Sequence, residues 1–293
     1  MSVIIDRHFD DTPESTKEFY SKIGSLDLIK AGSVFEIDFS RCCYLGPVAV
    51  SCIAGVIRYL HLKNVEIKII APELEVLRGY CEYSGLLQLA NIGPPPTSHP
   101  DNVTIPVREF KTFDQEGIDN IVSLVNKFIP MTEDTESVLR QGIAEVIQNV
   151  LDHSKSEVGG FMSARAFTNI KVVKIAIYDV GVGILNSLNK RYPNVKIDKI
   201  AMQTAFSKGG SAKTFERNQG MGLKYLKDLV FYNRGLFVLY SGSCFARCTD
   251  RRDIEYQGNP WDPKIPGTLA ILHFKIDNEL YSGDSEPVAD IEV

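Results

Sequence analysis

Apolar and polar residues alternate from Val34 to Phe39 and again from Val65 to Ile70, the two-residue period of a strand with one buried face. Between them, Val48 to Leu62 is apolar and rich in small residues, and its length and spacing predict a helix. A second helix is expected over Leu74 to Ser84, with Gly85-Leu-Leu following it. Strand, helix, strand, helix in this length predicts a small α/β unit over residues 1–91 with a sheet of its own. The periodicity stops at Ile92. Residues 92–102 contain Pro94, Pro95, Pro96 and Pro100, which exclude regular helix or inner strand and mark a linker.

Beyond the linker, Val103 to Val107 reads as an edge strand, because Pro106 has no N–H for a ladder. Asp114 to Phe128 and Glu133 to Asp152 carry apolar residues at helical spacing. Gly159 to Phe167 and Val172 to Tyr178 are strand-like and lie a hairpin connection apart. A third helix is expected over Leu223 to Val230, starting near Gly222, with further strands at Leu236 to Tyr240 and Leu269 to Phe274. Helices and antiparallel strands in this order predict a two-layer α+β domain over 103–276. Residues 277–293 are acidic and poor in large apolar side chains, the composition of a mobile tail.

Composition narrows the classes of function. A chain that is 44% hydrophobic and 24% charged is typical of a soluble protein, and no run of roughly 18 apolar residues is present to span a bilayer. Residues 1–10 lack the basic start and apolar run of a secretory signal. Six irregularly spaced cysteines suggest no disulfide framework, so a cytoplasmic setting is expected. The net charge of −5 argues against direct nucleic-acid binding, and Arg251-Arg252, followed by Asp253 and Glu255, reads as a solvated hairpin edge.

Four separated pieces carry candidate chemistry. In Glu145-Val-Ile-Gln-Asn149-Val-Leu-Asp-His153, three polar residues four apart form one helical stripe, while Ile143, Val146, Ile147 and Val150 turn toward a core. The Asn149 carbonyl suits Mg²⁺, and Glu145, one turn earlier, could orient or deprotonate a nucleophile. Asp179-Val-Gly181-Val-Gly183-Ile184 follows a strand, so its carboxylate can accept from an exocyclic amine while the glycines let the backbone approach a ring. Asn218-Gln-Gly220-Met221-Gly222-Leu223 stands at an expected helix start, where free N–H groups cradle phosphate. Before it lies a polar, glycine-containing segment in which Lys208, Lys213 and Arg217 could meet phosphate charge. Pro266-Gly267-Thr268 leads into the last strand.

In this order the four pieces resemble the N, G1, G2 and G3 boxes of the GHKL superfamily of gyrase, chaperone, histidine-kinase and mismatch-repair ATPases. The resemblance covers 103–276 and implies a Bergerat-type sandwich binding ATP and Mg²⁺ under a lid near Phe206 to Gln219. By that resemblance Asn149 would hold Mg²⁺, Glu145 would be the general base, Asp179 would bind adenine, and Gly181 and Gly183 would shape its pocket. Gly220 and Gly222 would receive phosphates, and Thr268 would support the adenine end. His153, Ile184, Met221 and Leu223 fall inside the same boxes. Glu-x-x-x-Asn-x-x-x-His is similar to the anti-sigma-factor serine kinases. None of the five histidines is followed by an acid, which disfavours a self-phosphorylating histidine kinase.

The first half, from Phe35 to Val50, the strand Val65 to Ile70 and Leu77 to Leu87, resembles a STAS (sulfate-transporter and anti-sigma-antagonist) domain. Where that family carries its Asp-Ser phosphorylation site this chain reads Gly46-Pro47-Val48, so docking or regulation is implied for this half. The expected function is a Mg-ATP-binding regulator that phosphorylates a Ser or Thr of a separate partner, either a STAS-like protein or a transcription regulator. The alternative is an ATP-gated interaction switch without phosphotransfer. The oligomeric state stays open, a homodimer included.

Overall fold

The structure is a computed structural model, and it describes residues 1–92, 102–189, 191–207, 221–250 and 253–276. Most of the linker, the expected tail, Arg251-Arg252 and most of the expected lid, with Lys208, Lys213, Arg217 and Gly220, lie outside the described residues.

The chain is mixed α/β. In the first half, β1 (Ser2–Ile4), β3 (Val34–Asp38) and β5 (Glu66–Ile70) form a parallel sheet in the order β1-β3-β5, and β2 (His8–Phe9) pairs with β4 (Tyr44–Leu45). The helices are α1 (Pro13–Ile23), α2 (Pro47–Leu62), α3 (Glu75–Tyr83) and the single turn α4 (Leu86–Leu89). Strand β1 and helix α1 are absent from the sequence-based expectation. Three residues are too few to show a period, and α1 has only three large apolar residues, Phe19, Tyr20 and Ile23, all in its second half. Helix α1 instead starts on a local signal, the Thr12 hydroxyl accepting from Ser15 N–H (3.2 Å), with Pro13 in its first turn.

The second half builds a seven-stranded, wholly antiparallel sheet. Its strands are β6 (Thr104–Phe110), β7 (Gly160–Phe167), β8 (Val172–Asp179), β9 (Leu236–Gly242), β10 (Cys244–Cys248), β11 (Glu255–Gln257) and β12 (Ile265–Lys275), in the order β11-β10-β9-β12-β8-β7-β6. As expected from Pro106, β6 is an edge, and its register shifts between Ile105 and Arg108 where the missing N–H interrupts the ladder.

One face of this sheet, called the front here, is covered by α5 (Gln115–Phe128), α6 (Glu133–His153) and α9 (Met221–Tyr232), with a core running from Ile118 to Phe274. Thr132 caps α6 by accepting from Thr135 N–H (3.2 Å), and acids fill its first turn, which favours the positive end of the helix dipole. Gly142 allows α9 to close on α6, because a Cβ there would overlap the Leu226 side chain. Two short helices, α7 (Gly183–Leu188) and α8 (Asp198–Phe206), complete this side. Phe206, expected at the start of a lid, ends α8 and packs on the rings of Phe237 (6.2 Å) and Tyr256 (6.3 Å).

The opposite face is covered by the first half of the chain. Helix α2 lies between the small parallel sheet and strands β7 and β8, and its buried residues run almost all the way round it, as they must when both sides meet protein. Its small residues permit the approach: Ser51 Oγ meets Ser163 Oγ at 2.9 Å, and Ser163 Oγ also donates to the Pro47 carbonyl at 2.9 Å. One continuous core therefore joins residues on both sides of the linker, from Val3 to Ile271. Among the described residues, no helix is long and apolar enough to cross a membrane.

Candidate functional site

The polar stripe of α6 runs along one wall of a cavity at the end of the sheet where β8 finishes and β12 begins. Glu145, Asn149 and His153 all line it, half-buried, while Ile143 and Ile147 point fully into the core. A helix repeats its faces every three to four residues, so this single spacing delivers all three polar groups to one wall.

Asp179 reaches the cavity from the opposite side. It is the last residue of β8 and is 2% exposed. Ile177, Leu239 and Ala270 point from neighbouring strands into the same space, and Val146, Val150, Leu188 and Leu223 close it. Thr268 stands directly across from Asp179 in the β8–β12 ladder and also faces the cavity. Burial pushes the Asp179 carboxyl from 3.8 up to about 7, against a smaller downward pull from backbone N–H groups of Gly181 (2.8 Å) and Thr268. No cation is among the causes of that shift. The result is an acid at the floor of an apolar slot that, among the described residues, meets only backbone donors.

The cavity is partly open and has a volume of about 110 Å³. By the measure in which one water takes roughly 10–15 Å³, it has room for several waters or for one flat heterocycle.

Both glycines after Asp179 are required by close packing, and of the two only Gly183 lines the cavity. A Cβ on Gly181 would overlap the carbonyl oxygen of Ser154 at the end of α6, and Gly181 does not line the cavity. The Ser154 carbonyl also accepts from Val182 N–H at 2.8 Å, which straps the turn to α6. Gly183, at φ +74°, lines the cavity, and a Cβ there would lie 2.8 Å from Ser241 Oγ. These glycines let the turn pack against its own chain, and the surface that this leaves to the cavity is formed by Gly183 and Ile184.

Ser241 was not foreseen. Its buried hydroxyl accepts from Ile184 N–H (2.9 Å) and donates to the Gly267 carbonyl (2.8 Å), so it joins the turn after β8 to the start of β12. A serine inside a strand has no local signature. Its role follows only from β9 lying beside β12.

Of the remaining sequence-predicted residues, Met221 and Gly222 form the first turn of α9, whose Leu223 lines the cavity. Lys208, Lys213 and Gly220 lie outside the described residues. No group of three or more His, Cys, Asp or Glu able to hold a metal by itself occurs among the described residues. Chemically, the floor can accept a hydrogen bond from an amine beside flat apolar walls, and the α6 stripe can meet a more polar part of the same ligand. Compared with known proteins, the chain matches no family model and no curated protein.

Proposed function

We propose that the chain binds ATP with Mg²⁺ in this cavity, in the manner of the GHKL ATPases whose boxes it resembles, and acts as a regulatory protein. One observation carries the reading: pieces of sequence as far apart as Glu145, Asp179, Leu223 and Thr268 converge on a single slot with a buried carboxyl at its floor. The donor set fits the ligand. Asp179 would accept from the exocyclic amine of adenine between the apolar walls, with Thr268 beside it. The Asn149 carbonyl offers Mg²⁺ one neutral oxygen, which is adequate for an ion that keeps waters and is held mainly by phosphates. Bound Mg²⁺ would supply neutralisation of phosphate charge.

In a phosphotransfer reaction Glu145 would orient an incoming hydroxyl and take its proton. The acceptor would be a Ser or Thr on a separate STAS-like partner. A second reading, an ATP-gated interaction switch, is favoured by the first half of the chain. Its Gly46, Pro47 and Val48 are all buried, and Val48 N–H donates to the carboxylate of Asp11 at 2.9 Å. A half of this kind, folded against the nucleotide sheet, suits regulation within the chain.

Calorimetry with Mg-ATP tests the common claim. Wild type should bind, Asp179→Asn should lose most of the affinity, and Asn149→Ala should lose the part that depends on Mg²⁺. Absence of binding by wild type at millimolar nucleotide would refute the proposal. Transfer of labelled phosphate to a STAS-like protein would then separate kinase from switch.

A further inference from the structure

Tyr178 and Asp179 are consecutive on β8, so strand alternation sends them to opposite faces of the sheet. Asp179 lines the cavity, and Tyr178 is wholly buried beneath α1 and α2. The start of β12 leaves regular register between Ile265 and Thr268, and side chains take two carbonyls there. Ser241 takes that of Gly267 from the cavity side, and the Tyr178 hydroxyl donates to that of Pro266 (3.1 Å) from the other. A hydroxyl has one proton, so Tyr178 is left to accept, and it does so from the Tyr20 hydroxyl at 2.6 Å. Tyr20 belongs to α1, in the first half of the chain, and is 2% exposed.

We propose that Tyr20 and Tyr178 are positioning residues through which the first half of the chain sets the geometry of the Asp179 cavity. The relay runs from Tyr20 through Tyr178 to Pro266, two residues before Thr268, which pairs with Asp179 in the β8–β12 ladder and lines the same cavity. Tyr20 and Gly24 of α1 border an open groove that Val180, Val182 and Pro266 also line, so α1 meets both segments there. A displacement of α1 is therefore passed to the segments that flank Asp179 and Thr268. Burial holds both phenols well above their ordinary titration range, so the relay keeps its protons through the neutral range.

The test uses Tyr20→Phe, Tyr178→Phe and the double variant in the full chain, with two readouts. The first is the titration midpoint of the Asp179 carboxyl, followed by carbon NMR, which needs no nucleotide. The second is the dissociation constant for Mg-ATP, which rests on the proposed function. Each single variant should raise the Asp179 midpoint and weaken ATP binding, by roughly fivefold or more. Because the two hydroxyls act in series, the double variant should be no worse than Tyr178→Phe alone. A folded Tyr20→Phe protein with an unchanged midpoint overturns the relay, as does a double variant whose effects simply add. If wild type binds no ATP, the nucleotide reading falls and the midpoint alone judges the relay. If Tyr178→Phe does not fold, Tyr20→Phe decides.

Discussion

The two faces of the seven-stranded sheet are made by alternate residues of the same strands, yet they are finished differently. Behind the sheet, α2 presses so closely on β8 that a Cβ on Gly55 would lie 2.7 Å from the Tyr178 ring and 2.8 Å from Val180. In front, α6, α7 and α9 stand off the end of β8 and leave a slot. Two buried carboxylates show the contrast. Asp11, at the back, receives Val48 N–H (2.9 Å), the Tyr44 hydroxyl (3.1 Å) and the Lys174 ammonium (2.9 Å). Asp179, at the front, receives only backbone N–H groups among the described residues, and burial pushes it up to about 7. A carboxylate well supplied with donors ties two parts of a protein together, whereas a buried one with few donors is pushed toward its neutral form.

The largest effect that would sharpen this contrast is expected at Asp11. Asp11→Ala would leave the Lys174 ammonium, 14% exposed, without its carboxylate and remove a cap from α2. The loss should be about 3–5 kcal/mol in urea unfolding, and a loss below about 1 kcal/mol would show that the back face does not depend on this pair.

Asp179→Asn should have the opposite sign. The folded pKa of about 7 lies above the ordinary 3.8. Stability from this group is therefore complete below 3.8 and is lost as pH rises through about 7. The Asn variant escapes that loss, so at pH 8 it should be the more stable protein, by at most on the order of 4 kcal/mol. The advantage should fade toward pH 4. Adenosine has no group that titrates in the neutral range, and its binding to wild type should strengthen between pH 6 and 8 as Asp179 ionises. Urea midpoints that keep a constant offset across this range would contradict the assignment of Asp179 as a buried acid with few donors.

Gly55→Ala gains helix propensity but drives a methyl into Tyr178, which is pinned by two hydrogen bonds. A net loss of about 1–2 kcal/mol is expected. A neutral or stabilising result would mean that the back face is looser than its distances imply. Ser241→Ala should cost the least, about 1 kcal/mol, and should weaken ligand binding more than it lowers the unfolding midpoint. Equal changes in both would make Ser241 a packing residue only.

Much of the front was legible beforehand because its signals are local. Spacing by four put Glu145, Asn149 and His153 on one face of α6, Pro106 marked β6 as an edge, and the strand-like run Val172 to Tyr178 put Asp179 at the end of β8. The glycines were legible as a turn, but their neighbours, Ser154 and Ser241, were not. Helices α7 and α8 passed unread as well. The first is a six-residue turn that starts at a glycine, and the second has a weakly amphipathic face.

By itself, then, the sequence determined the longer periodic helices and strands and which polar residues share a helix face, since those follow from periods of two and 3.6 residues. Only the tertiary structure decided what covers the back of the sheet, where Tyr20 meets Tyr178 and Asp11 meets Lys174 across 158 and 163 residues. It also decided that Ser241 would join the turn after β8 to the start of β12. Contacts at such separations arise from how whole elements pack, and no short window of sequence carries a period that encodes them.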